Sequence, residues 1–279
     1  MGKIARGWGL SMKSLALIGH DRALLVFPTI SIISTVAAAA LIFGPTFAWS
    51  ASTGGDLPWI VGGLVGFYVL NVISTFFGVA FIAVARRSIA GEPWSMSDGW
   101  SAACSRLGPI LWWALVSTIV GLLLQALERV RGGIIVNVIA RWVVGAAWSL
   151  ATFFIVPVLA VEGGTPFAAA KRSTQIIRKR WGEGIVGATA IGGLFTIVLF
   201  AGIVPIVLGA AAISGSPFIG LLLIVIGALI LVAGIVVNST ASQLFRYVLY
   251  EYAVADRIVG DFSPSDLDSS FRTRRSFLS

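Results

Sequence analysis

The sequence has little of what metal or nucleophilic chemistry needs. Its 279 residues include one cysteine, Cys104, and one histidine, His20. A single cysteine excludes an internal disulfide, and these two residues supply too few ligands for a zinc or haem site. One histidine outside the apolar segments provides no Ser-His-Asp set, and neither a phosphate-binding Gly-Lys-Ser/Thr loop nor an HExxH pair occurs. We therefore expect no metal, no cofactor and no enzyme activity.

Charge is also scarce, since 11% of the residues are charged and 57% are hydrophobic. A soluble core cannot hide that much apolar surface. The apolar residues lie in runs whose lengths match the ~20 residues needed to cross ~30 Å of hydrocarbon. These runs do not alternate apolar and polar residues, so they predict helices and not strands. The six predicted spans are 23–49, 59–85, 110–127, 142–161, 185–213 and 218–245.

The basic residues predict the orientation, because Lys and Arg are kept on the cytoplasmic side during insertion. Seventeen of the 20 fall on one side of the six spans, and the other three, Arg129, Arg131 and Arg141, share one loop. Both termini are therefore predicted to be cytoplasmic, in a multi-pass protein of the cell membrane. The basic residues that give the net charge of +8 line the membrane flanks and form no separate nucleic-acid-binding domain. Anionic lipid is the expected partner.

The candidate polar residues within the spans are all neutral. They are Asn71, Gln125, Asn238, Ser239, Thr240 and Gln243. Enzymes and ion-coupled carriers usually keep ionisable groups at this depth, whereas neutral groups more often join helices by hydrogen bonds. Gly62 and Gly66 have the small-xxx-small spacing that lets another helix approach closely. Four prolines that interrupt the apolar runs predict kinks: Pro28, Pro45, Pro157 and Pro205.

A turn containing Gly and then Pro follows each even-numbered span. The three turns are Gly91-Glu92-Pro93, Gly164-Thr165-Pro166 and Gly260-Asp261-Phe262-Ser263-Pro264. Thr165 and Ser263 precede proline, as a hydroxyl N-cap precedes the first residue of a helix. A helix is predicted after each turn.

The predicted helices after these turns are amphipathic and are expected to lie in the headgroup plane. The first has Met96, Trp100, Ala103 and Leu107 on one face, and the second has Phe167, Ala170, Thr174, Ile177 and Trp181. Residues 1–20 have a similar pattern. The sequence thus predicts an all-α, polytopic helical bundle with six transmembrane helices and cytoplasmic interfacial helices.

An internal repeat follows from this layout, because each unit consists of one interfacial helix and two spans. Residues 1–279 form one membrane domain with a threefold repeat over about 1–92, 93–163 and 164–262, followed by a cytoplasmic tail, 263–279. Two crossings per unit give all three units the same orientation, unlike the inverted repeats of many transporters.

Several segments carry a resemblance to a known family. The string FFIVPVLAVEG at 153–163, followed by AKRS at 170–173 and RWGE at 180–183, resembles a prokaryotic family of six-span proteins known only as a domain of unknown function. Further matching segments are LLVFP at 24–28, DGW at 98–100 and YEYA at 250–253. The family is similar in layout to membrane domains sometimes fused to glycerophosphodiester phosphodiesterases. The resemblance implies a fold and a location in the prokaryotic plasma membrane, and no reaction.

The candidate contact residues lie around the end of the fourth span. They are Glu162, Lys171, Arg172, Arg178 and Lys179. Glu162 is interpreted either as a local ion-pair partner of the nearby bases or as part of a polar site for a lipid headgroup or a protein partner. The favoured hypothesis is a non-enzymatic membrane component that binds lipid or a partner protein in the membrane.

The alternative hypothesis is a transporter or permease-like protein for an apolar or amphiphilic solute. Its basis is the set of kinked, glycine-rich spans with neutral polar groups. This hypothesis requires a cavity between the repeats.

Overall fold

A computed structural model describes residues 21–126, 144–181 and 192–260, together with Lys13, Gly19, Phe262 and Leu267. All regular elements in this part of the chain are helices. In chain order they are a 3-10 turn (Arg22–Leu25), α1 (Val26–Thr53), α2 (Leu57–Ile89), α3 (Met96–Cys104), α4 (Leu107–Ala126), α5 (Ile155–Val161), α6 (Pro166–Trp181), α7 (Gly192–Ala212) and α8 (Pro217–Ala255). A helical stretch at 144–151 and a turn at 152–154 precede α5.

Five stretches of the described chain are long and apolar enough to cross a bilayer. They are Arg22–Thr53, Leu57–Ile89, Leu107–Gln125, Val144–Val161 and Pro217–Ala255. These correspond to predicted spans one, two, three, four and six. The predicted fifth span lies partly outside the described residues, and its described part is α7, with the apolar segment Val198–Ala212. The apolar helices indicate a multi-pass membrane protein, and the count of six stays a prediction.

Helix α2 is the centre of the first of two compact units, which comprises Val26–Arg180. It contacts α1, α3, α4 and α5. Near its end, Val79–Ile82, Val84 and Ala85 are all at most 1% exposed. Because consecutive helical residues point in different directions around the axis, this stretch of α2 is enclosed by its neighbours.

The contact between α1 and α2 depends on Gly62 and Gly66, the two glycines with the small-xxx-small spacing. A Cβ at Gly62 would collide with the side chain of Thr46, and one at Gly66 would lie 2.7 Å from Cζ of Phe43. Both partners belong to α1. The predicted close approach of a second helix is therefore confirmed at Gly62 and Gly66.

Helix α3 packs along the end of α2 through a third glycine. Gly99 is buried, and a Cβ there would lie 2.9 Å from the carbonyl oxygen of Ala80. The ring of Trp100 meets the ring of Phe76 edge-on, with centroids 5.1 Å apart. On the predicted apolar face of α3, Ala103 is buried, whereas the side chains of Met96, Trp100 and Leu107 are exposed. Whether those exposed side chains meet the headgroup layer stays a prediction.

The second unit contains Met1–Leu25 and Trp181–Ser279, and its described helices α7 and α8 form an antiparallel pair. A Cβ at Gly209 would lie 2.6 Å from the carbonyl oxygen of Gly220, and one at Gly202 would lie 3.0 Å from that of Gly227. The glycines on each helix are seven residues apart, so they keep to one side of the contact. The two backbones therefore touch directly at two levels.

The three predicted turns share one backbone feature. Gly91, Gly164 and Gly260 have φ values of +71°, +91° and +65°, in the region that favours glycine. Helix α6 begins at Pro166 as predicted, and Oγ1 of Thr165 accepts a hydrogen bond from the amide of Ala168. The repeat itself stays a prediction.

The helix after the first turn begins later than its proline. It starts at Met96, because Ser95 and Asp98 bond to each other and cap it there. It ends at Cys104, and α4 begins at Leu107, which the sequence analysis had given to α3. Apart from Lys13, Gly19 and Leu267, the predicted helices at 1–20 and after Pro264 lie outside the described residues.

The prolines fall into two groups. Pro28 and Pro157 each occupy the third residue of a helix, α1 and α5, where the missing N–H costs no intrahelical bond. Pro45 lies inside α1 and Pro205 inside α7, where each removes a backbone donor. The four prolines therefore differ in position, at the start of a helix or inside one, and the predicted kinks stay a prediction.

Candidate functional site

Helix α6 is attached to the turn before α5 by a buried face. Ser173 is fully buried, and its Oγ accepts a hydrogen bond from the backbone amide of Phe154 at 3.1 Å. Ala169, Ile176 and Ile177 are buried on the same side of the helix. Because residues three and four apart share a face, these contacts fix how α6 is rotated.

The opposite face of α6 carries the predicted basic residues. Lys171, Arg178 and Lys179 are exposed, and Gln175 lies between them on this face. We call Lys171, Arg178 and Lys179 the basic face. Spacings of seven and eight residues place these three cations along one side, two helical turns apart. The predicted aromatic stripe is only partly buried, since Phe167 is exposed and Ile177 is buried.

The structure brings Glu162 and Arg172 together. Nε of Arg172 lies 3.0 Å from both carboxylate oxygens of Glu162. Both side chains remain partly exposed, so the pair contributes less than about 1 kcal/mol. The local ion pair that the sequence suggested for Glu162 is therefore present.

Arg106 lies against Gly163, the residue that follows Glu162. A Cβ at Gly163 would overlap the guanidinium of Arg106, and Gly163 has a φ of +73°. Gly163 is buried. Glycine is therefore needed at 163 both for its backbone conformation and for the space that Arg106 fills.

A polar cleft opens where the ends of α2, α3 and α5 meet, and the sequence analysis did not foresee it. Its volume is about 530 Å³. The polar and charged residues that line it are Arg86, Arg87, Glu92, Asp98, Ser101 and Ser105. Ala160 and Val161, at the end of α5, complete one wall. The available sequence signal was the polar stripe Asp98, Ser101 and Ser105, spaced three and four residues apart on α3.

Two of the four charges in the cleft neutralise each other. Nη1 of Arg87 lies 2.9 Å from Oδ2 of Asp98. The same oxygen accepts bonds of 2.8 Å from the hydroxyl and the amide of Ser95. These two bonds from Ser95, with the nearby Arg87 guanidinium, hold the pKa of Asp98 below its ordinary value. Asp98 is thus kept ionised and held in one position.

The other two charges in the cleft, Arg86 and Glu92, remain uncompensated. Neither side chain forms an ion pair or a hydrogen bond with another residue in the structure as described. Both are exposed. A guanidinium offers five N–H donors and a carboxylate only acceptors, so the cleft presents both kinds of group to a ligand.

The described residues offer little for a metal ion. Within the ranges 21–126, 144–181 and 192–260, no group of three or more His, Cys, Asp or Glu side chains comes together.

Comparison with known proteins gives one match. Residues 60–260 match the family described as "Family of unknown function (DUF6159)". No curated protein and no solved structure matches the chain.

Proposed function

The chain belongs to this family of unknown function, and from that premise we propose that it is a non-enzymatic, multi-pass component of the cell membrane that binds anionic lipid headgroups. The basic face of α6 is the contact surface. The proposal puts both termini in the cytoplasm, since that orientation places most Lys and Arg residues on the inner side.

The proposal rests on the observation that α6 is held in one rotation about its own axis. The buried Ser173 attaches one side of the helix to the protein, so Lys171, Arg178 and Lys179 are held outward. The helix begins at Pro166, five residues after Val161, where the apolar stretch ends. Basic residues so close to the end of a span lie near the lipid phosphates, where each contributes about 1 kcal/mol of attraction to an anionic surface.

The test measures which lipids remain on the full-length protein. Wild type and a triple variant, Lys171→Gln, Arg178→Gln and Lys179→Gln, are placed in nanodiscs of phosphatidylcholine and phosphatidylglycerol and analysed by native mass spectrometry. At about 1 kcal/mol per cation, the retained phosphatidylglycerol should fall at least about fivefold. The matched control is Arg129→Gln, Arg131→Gln and Arg141→Gln, which removes three charges from the loop predicted on the opposite side.

Equal retention of phosphatidylglycerol by wild type and the α6 triple variant would overturn the proposal. Loss in both triple variants alike would show a net-charge effect and would also overturn it. A protein that co-purifies with wild type and the control, and not with the α6 variant, would replace lipid by a protein as the occupant of this face.

The alternative role, a carrier for an apolar or amphiphilic solute, requires a cavity between spans near the middle of the membrane. The cleft found in the described residues lies at the helix ends, beside the charged Arg86 and Arg87. This position favours the binding role.

A further inference from the structure

The cleft between α2, α3 and α5 lies apart from the basic face of α6 and has its own chemistry. Its net charge is zero, because Arg86 and Arg87 are matched by Glu92 and Asp98. The salt bridge between Arg87 and Asp98 leaves one cation and one anion available. A ligand that is purely anionic or purely cationic would therefore satisfy one of these two groups and oppose the other.

The chain reverses direction between the two available charges. Arg86 lies in the last turn of α2, and the chain then reverses at Gly91, whose φ is +71°. The amide of Glu92 donates to the carbonyl oxygen of Arg87 at 3.0 Å, which fixes the start of the following segment. Arg86 and Glu92 thus line the same cleft without forming an ion pair with each other.

The neutral lining indicates which oxyanion suits Arg86. Ser101 and Ser105 lie one turn apart on α3 and line the same cleft. The Ser105 hydroxyl donates to the carbonyl oxygen of Ala102 at 2.8 Å, so Ser101 is the serine whose hydroxyl is left to donate into the cleft. A tetrahedral phosphate accepts several hydrogen bonds at once, and arginine with a neighbouring hydroxyl provides donors for them. The Glu92 carboxylate, which only accepts, is suited to the N–H groups of an ammonium ion.

We propose that this cleft binds a zwitterion that carries a phosphate and a primary ammonium group, the chemistry of an ethanolamine phospholipid headgroup. The phosphate meets Arg86 and the Ser101 hydroxyl, and the ammonium meets Glu92. A volume of about 530 Å³ falls within the range of small-ligand sites. Ala160 and Val161 give the cleft an apolar wall at the end of α5, against which the glycerol part of a lipid packs.

This inference deepens the proposed lipid-binding function and rests on it for the membrane placement. The two are separable, because they use different residues. Removing the basic face of α6 should reduce retention of anionic lipid and leave the cleft intact. Removing Arg86 or Glu92 should weaken binding of the zwitterion in the cleft and leave retention of anionic lipid unchanged.

The test uses the full-length protein in phosphatidylcholine nanodiscs, titrated with soluble probes by isothermal calorimetry. The probes are dihexanoyl phosphatidylethanolamine, dihexanoyl phosphatidylglycerol, and phosphoethanolamine without acyl chains. Wild type should prefer the ethanolamine lipid. Arg86→Gln and Glu92→Gln should each weaken binding of the ethanolamine lipid by about tenfold or more. This is the loss expected when one charged partner of a hydrogen bond is removed. The control, Arg22→Gln, removes an exposed charge that belongs neither to the cleft nor to the basic face, and it should leave this binding unchanged.

Several outcomes would overturn the inference. Equal binding of the ethanolamine and glycerol lipids, with Glu92→Gln unchanged, would make the cleft a simple anion site. No binding of any probe by correctly folded wild type would remove the site. Binding of phosphoethanolamine as tight as that of the lipid would support the zwitterion chemistry and identify a free solute, not a lipid, as its source.

Discussion

The backbone amide of Phe154 donates a hydrogen bond to the hydroxyl of Ser173 at 3.1 Å, and both residues are fully buried. The bond joins the turn before α5 to the middle of α6, across 19 positions of the chain. It thereby determines which side of α6 is left exposed. Together with the buried Ala169, Ile176 and Ile177, this contact leaves Lys171 and Arg178 on the exposed side of the helix.

Replacing Ser173 with alanine should destabilise the protein by about 1–3 kcal/mol, because a buried amide loses its acceptor. Unfolding in a mixed detergent titration measures the change. Gln175→Ala is the control, since Gln175 lies on the exposed side of the same helix. Equal effects of the two substitutions would contradict the anchoring role of Ser173.

The close approach of α1 and α2 makes two adjacent glycines unequal. Gly62→Ala should cost about 1–3 kcal/mol, because the new methyl group overlaps Thr46 and forces the helices to shift. Gly63→Ala meets nothing within 4 Å and should be neutral or stabilise α2 by up to about 1 kcal/mol through helix propensity. The same detergent titration measures both. Similar stabilities for the two variants would show that α1 does not pack on Gly62.

Gly163 combines a backbone and a packing requirement that a double-mutant cycle separates. Gly163→Ala should cost about 1–3 kcal/mol for the positive φ alone, and more because Arg106 must move. In the Arg106→Ala background, only the backbone cost should remain. Thermal unfolding of the four proteins gives the coupling. A coupling of zero would show that Arg106 does not rest on Gly163.

Asp98 should make stability depend on pH at the acidic end. Its pKa in the folded protein lies below the ordinary value, so the unfolded chain binds a proton at a higher pH than the folded one. Its stabilising contribution is complete above the ordinary carboxyl range and is lost as the pH falls through the lower folded pKa. Melting temperatures of wild type and Asp98→Asn between pH 3 and about 7 should therefore converge toward the acid end. Parallel curves would contradict the pKa shift.

Local signals in the sequence predicted the helix start at Thr165-Pro166 and the glycine turns, because the residues that cause them are adjacent in the chain. At the first turn, α3 begins at Met96, three residues after Pro93, because the bonds between Ser95 and Asp98 cap it there. The five helical stretches long and apolar enough to cross a bilayer were predictable for the same reason, since each is a single apolar run.

The cleft was not predictable, because it depends on contacts between distant segments. Arg86, Ser101 and Ala160 approach one another only after α2, α3 and α5 have packed. The sequence likewise could not show that Arg87 is neutralised while Arg86 is not. The buried face of α6 was missed for a similar reason: Ser173 looks polar in the sequence, yet it is fully buried in the contact with Phe154.

The central position of α2 has a consequence for biosynthesis. Helix α2 is made second, whereas α5, one of the helices that covers it, begins at Ile155. While the ribosome translates the residues between α2 and α5, the stretch of α2 around Phe81, which is buried in the complete fold, has only some of its final neighbours. The hairpin of α1 and α2 is therefore translated before α5, and the contact with α5 is the last of the contacts of α2 with α1, α3, α4 and α5 that can form.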